Sequence, residues 1–72
     1  MPFLVRTAPT AGYEEALAAW RSAATLADDR WQQFQACERA ARTFMFAAYV
    51  TALDREEAAA AELALMTLER AA

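Results

Sequence analysis

The chain has 72 residues and a mass of 8.0 kDa, with seven Arg, ten acidic residues and a formal charge of −3. That length allows one small domain and excludes two independent cores. It contains no His, Lys, Asn or Ile and only one Ser, one Cys and one Gly, so most catalytic kits are missing, while 58% apolar and 24% charged residues exclude both disordered and membrane-spanning compositions. An isoelectric point near 4.7 works against phosphate binding, and nucleic acid is not an expected partner. Cys37 has no second Cys to pair with, and Met1-Pro2-Phe3-Leu4-Val5-Arg6 has no apolar run long enough for a signal peptide. A cytoplasmic location is therefore the expectation. Arg in place of every Lys, with 21 Ala, suits a GC-rich bacterial or phage genome.

Residues 1–10 place Phe3, Leu4 and Val5 between Pro2 and Pro9, a pattern expected of an extended arm. From Tyr13 onward there is no Pro or Gly, and helices are expected throughout. Thr10 offers a cap, followed by Glu14 and Glu15 in a first turn where the helix dipole favours negative charge, so a helix is predicted over 11–27. Asp28-Asp29 offers the next cap and a tight turn before a second helix over 30–53. Asp54-Arg55-Glu56-Glu57 has capping-box spacing and divides off a third helix over 55–71, although nothing there forbids a continuous helix. The expected fold is all-α: a three-helix antiparallel bundle or a helical hairpin over 11–72, completed by oligomerisation.

Tyr13, Leu17, Trp20 and Ala24, at spacings of four, three and four, form one amphipathic stripe. Leu63, Leu65, Met66 and Leu68 give the third predicted helix a broader apolar face. The second changes character along its length. Its first half carries Trp31, Phe34 and Cys37, with Glu38 and Arg42 at an i,i+4 spacing that permits a weak ion pair. Thr43 to Leu53 then carries no charge, and Phe44, Met45, Phe46, Tyr49, Val50 and Leu53 surround the helix axis. Eleven residues rise only about 16 Å, short of the roughly 30 Å of a bilayer core. Leaving several of these side chains exposed would forfeit roughly 1.5–3 kcal/mol each. They are the predicted interface, with Phe44 and Ala48 directed to one neighbour and Phe46 and Val50 to another.

An offset of 42 residues aligns Glu14-Glu15-Ala16 with Glu56-Glu57-Ala58, Ala18-Ala19 with Ala60-Ala61 and Thr25-Leu26 with Thr67-Leu68, through either an internal repeat or shared Ala and Glu content. Gly12-Tyr13-Glu14-Glu15-Ala16-Leu17 with Trp20, Ala23 and Leu26 resembles the second helix of a tetratricopeptide repeat. Phe46-Ala47, Val50 and Leu53 before Glu56-Glu57-Ala58 resemble the first helix and turn of another copy. The resemblance implies an antiparallel helical array that binds other proteins and has no chemistry of its own.

Candidate chemistry is sparse. The pairs Glu14/Glu15, Asp28/Asp29 and Glu56/Glu57 sit at predicted helix starts with side chains about 100° apart, which suits capping better than paired acid and base. A di-iron bundle needs His, and Cys37 has no His to activate it, so no catalytic, cofactor or metal residue is assigned. Trp31, Phe34, Arg39 and Arg42 are candidate partner contacts, since Arg suits bidentate binding of carboxylates. The expected function is a non-enzymatic protein–protein interaction or assembly module whose partners are the chain itself and another protein. The alternatives are a small-molecule binder with a closed aromatic pocket polarised by Tyr49, Thr43 or Gln35, and a small acidic inhibitor or antitoxin-like protein.

Overall fold

A computed structural model describes the backbone of residues 9–71 and the side chains of residues 12–71. Two long helices, α1 (Pro9–Ala36) and α2 (Arg42–Ala71), are joined at Cys37-Glu38 through a single 3₁₀ turn (Arg39–Ala41). The expected all-helical class is present, but the division into three helices is not. Pro9 and Thr10, expected in the arm, belong to α1, where the fixed φ of Pro suits a first turn; the rest of the expected arm, residues 1–8, lies outside the described residues.

Each expected break is bridged by ordinary helix. At the first, the Gln32 amide donates to the Asp28 carboxylate (3.1 Å) and the Arg30 guanidinium to the Gln33 side chain (3.3 Å), so these polar groups pair along the helix surface instead of capping a new one. At the second, Asp54-Arg55-Glu56-Glu57 lies inside α2 and its capping-box spacing goes unused. A potential cap does not end a helix when no Pro or Gly breaks the backbone and the flanking apolar pattern continues in phase. The predicted first helix thus extends from 27 to Ala36, the predicted second is split at 37–38, and its later part fuses with the third.

The actual turn carries neither Gly nor Pro. The Cys37 thiol donates to the carbonyl of Phe34 (3.2 Å), occupying one of the acceptors that a helix C-terminus leaves free. Glu38 is extended (φ −72°, ψ 157°), and the Ala41 amide donates to its carbonyl (2.9 Å). Because Glu38 stands outside both helices, the helical spacing expected to pair it with Arg42 is broken.

The helices run antiparallel. Trp31 packs at a tilt against Tyr49 (5.0 Å between centroids) and Phe34 against Phe46 (5.4 Å) near the turn, while Arg70 lies over Tyr13 (4.2 Å) at the far end. The seam follows a 3.5-residue period on both sides: Leu17, Trp20, Ala24, Ala27, Trp31 and Phe34 face Met45, Tyr49, Ala52, Glu56, Ala59 and Leu63. Ala side chains let the backbones approach, and the most deeply buried positions are Ala16, Ala27 and Ala52. No large side chain among the described residues is fully buried, because two helices make one layer; the smallest extent of the molecule is 13 Å against a length of 49 Å. No described helix is long and apolar enough to cross a membrane.

Two substitutions test this architecture. Arg55→Pro places Pro at the favoured first position of a helix if one starts after Asp54, but inside a continuous α2 it costs about 3 kcal/mol or more. Urea unfolding is expected to show that loss. Gly12→Ala would bring a Cβ to 3.8 Å from the Met66 sulfur, an ordinary contact, at a position where Gly costs helix stability. A gain of about 0.5–1 kcal/mol in the same assay is expected.

Candidate functional site

Folding as a hairpin gives the single layer two broad faces of different chemistry. On one, a groove is lined by Leu26, Arg30, Ala48, Thr51, Ala52 and Arg55, with both guanidinium groups beside it. The Thr51 hydroxyl is turned back onto the Ala47 carbonyl (3.0 Å). The other face is largely apolar. Its turn half carries Trp31, Phe34, Phe46 and Tyr49 in a continuous series of tilted ring contacts at 5.0–6.2 Å. Its far half is an open groove of about 590 Å³ with Ala60 and Ala64 in its lining beside Trp20, Leu63, Thr67 and Leu68.

Helix periodicity explains the apolar face. Phe46, Val50, Leu53, Glu57, Ala60, Ala64 and Leu68 follow one another at steps of three or four, so they form a second stripe along α2 beside the seam. This stripe lies to one side of α1. Phe46 is 48% exposed, Leu53 38% and Leu68 67%, so the stripe is only partly covered by α1. Glu57 interrupts it at mid-length, where Asp28 and Glu56 also line an open groove with Trp31, Tyr49 and Leu53.

The predicted interface residues are brought to one half of the molecule but not to one surface. Phe46, Val50 and Leu53 share the apolar face; Met45 and Tyr49 are half-buried in the seam. Phe44 is the outlier at 72% exposure, so only Ala48 of the pair expected to face one neighbour is half-covered. Among the predicted partner contacts, Trp31 and Phe34 join the ring series, Arg42 lies over the Phe34 ring (4.7 Å) and Arg39 stands exposed in the 3₁₀ turn. Thr43 and Gln35 are exposed, and Tyr49 opens onto a surface groove, so the aromatics form a surface ladder rather than the closed pocket expected of the small-molecule alternative. Cys37 is a half-buried free thiol.

Sequence reasoning missed the far half of this face: Trp20, Ala60, Ala64 and Leu68. The three-and-four spacing was available to find it, but it crosses Asp54, where a helix start had been placed. No group of three or more His, Cys, Asp or Glu side chains that could hold a metal ion occurs among the described residues. Comparison with known proteins adds no relative: no family model, curated protein or solved structure matches the chain.

Contacts rather than residue type separate structural from surface aromatics. Phe34 touches Trp31, Phe46 and Arg42, so Phe34→Ala is expected to cost about 2–3 kcal/mol, somewhat below a fully buried Phe. Phe44→Ala should stay within about 0.5 kcal/mol in the isolated chain. Paired denaturant titrations by circular dichroism check the contrast, and equal losses would place Phe44 in a core.

Proposed function

We propose that this chain is a non-enzymatic helical assembly module, acting on proteins through the apolar face that Phe46, Val50 and Leu53 share with Trp20, Ala60, Ala64 and Leu68. The observation that carries the proposal is the exposure of large apolar side chains in one stripe along α2, broken only at Glu57, on a hairpin with no fully buried large side chain among the described residues. A contiguous apolar patch of this extent marks an interaction surface. The predicted interface of Phe44, Met45, Phe46, Tyr49, Val50 and Leu53 is thereby narrowed to Phe46, Val50 and Leu53 as direct contacts, with Met45 and Tyr49 supporting them from the seam. Arg39 and Arg42 flank the turn end of the face, where guanidinium groups suit carboxylates on a partner. The turn that the tetratricopeptide resemblance implies before Glu56 falls inside the continuous α2, so the proposal rests on the exposed face and not on that resemblance.

Charge placed on this face tests the proposal. Phe46→Glu would put a carboxylate into the contact at several kcal/mol if it is desolvated, so association should weaken by 100-fold or more. Helical circular dichroism should persist at high protein concentration, because Phe46 is half exposed in the hairpin. Sedimentation equilibrium and circular dichroism on the same samples measure both. An unfolded, aggregated variant would assign Phe46 to an internal core, and unchanged association would remove this face from the function.

A further inference from the structure

We infer that the occupant of the apolar face is a second copy of this chain, laid crosswise so that the turn end of each copy covers the far end of the other, forming an antiparallel four-helix bundle. The inference rests on the assembly reading above and names its partner.

Area is the first ground. A 30-residue helix is about 45 Å long and two packed helices are about 20 Å wide, so one face of the hairpin presents about 900 Å². That matches the roughly 800 Å² that each partner contributes to a stable interface of standard size. A single docking helix, about 10 Å wide, would leave half of the face in water. A second hairpin has the length and width to cover all of it.

The second ground is self-complementary pairing along α2. A two-fold interface uses one patch twice, so each exposed side chain on it must meet a suitable one elsewhere on the same patch. Here the turn half exposes Phe46 and Val50, and the far half carries Ala64 in an open groove with Leu68 exposed beside it. Two two-fold arrangements bring the faces together. With the axis parallel to the helices, turn meets turn and α1 of each copy lies over α2 of the other. With the axis across the helices near Ala24 and Glu57, each helix lies on its own counterpart, Phe46 comes level with Leu68 and Val50 with Ala64, and the exposed apolar side chains of one half are covered by those of the other at both ends.

Charge follows the same geometry. Antiparallel α1 pairing about Ala24 and Thr25 brings Arg21 of each copy level with Asp28 of the other, an opposite-charge pair formed twice. The two Glu57 carboxylates come level near the axis, a like-charge contact that a basic partner segment would not produce.

The test uses the full chain with Cys37→Ala and Glu38→Cys, spin-labelled at the turn and measured by pulsed electron–electron resonance, with circular dichroism confirming the fold. Crosswise pairing puts the labels at opposite ends of the bundle, on the order of 40 Å apart; turn-over-turn pairing puts them within about 20 Å. A long distance is expected and a short one overturns the arrangement. Sedimentation of the Glu57→Gln chain supplies the second readout: dimerisation tightens by roughly twofold to threefold when the like charges are removed, the scale of an exposed charge pair. Unchanged or weaker dimerisation would overturn the shared axis. A folded monomer at tens of micromolar overturns the second copy altogether. In that event, Phe46→Glu assayed against a purified cognate protein still decides separately whether the face binds protein at all.

Discussion

Two helices can make only one layer, and the rest of this structure depends on that constraint. Among the described residues each helix has a single neighbour, so side chains at the seam are covered from one side and the most deeply buried residues are Ala. A helix with one neighbour can bury a stripe of its surface but not its circumference. The apolar segment from Thr43 to Leu53 exceeds what one stripe can accept, and the surplus emerges on a broad face.

The seam balances two packing modes along its length. Toward the turn, aromatic side chains fill the space between the helices, and the tilted contacts among Trp31, Phe34, Phe46 and Tyr49 add directional attraction to their burial. Deeper in the seam, Ala27 and Ala52 are the most deeply buried residues, and at the far end the Met66 sulfur comes near Gly12. Arg42 on Phe34 and Arg70 on Tyr13 hold the two ends through cation–π contact, each worth only about 0.5–1 kcal/mol where exposed. On the apolar face the rings likewise give way to smaller residues, and Ala60 and Ala64 line an open groove beside the exposed Leu68.

Helical class, the amphipathic stripe of Tyr13, Leu17, Trp20 and Ala24, and the excess of apolar surface after Thr43 were all legible in the sequence, because each is a matter of periodicity or composition. The position of the turn was not. Asp28-Asp29 and Asp54 offer stronger capping chemistry than Cys37-Glu38, yet both lie in unbroken helix, since a cap only contributes to an end that packing has already placed. Here the contacts of Trp31 with Tyr49 and of Phe34 with Phe46 lie across the reversal, and such pairs are separated by 12 to 18 residues in sequence. Once a break is placed at Asp54, the stripe from Phe46 to Leu68 is divided between two elements. Its second half, Ala60, Ala64 and Leu68, then reads as part of a different face.

Stability and association are linked in a molecule of this kind. An ordinary 72-residue domain holds about 4–11 kcal/mol, most of it from burying large apolar side chains, and none of those among the described residues is fully buried. Covering Phe46, Leu53 and Leu68 supplies the kind of burial that a third layer would give, so a partner that binds the folded hairpin also stabilises it by mass action. The carboxylates of Asp28, Glu56 and Glu57 near mid-length limit that gain, since each must be paired or left wet when the face is covered. In a crosswise pair of copies the two Glu57 carboxylates repel at mid-length, so the apolar ends on either side must supply the gain, with Arg21 level with Asp28 offsetting part of the cost.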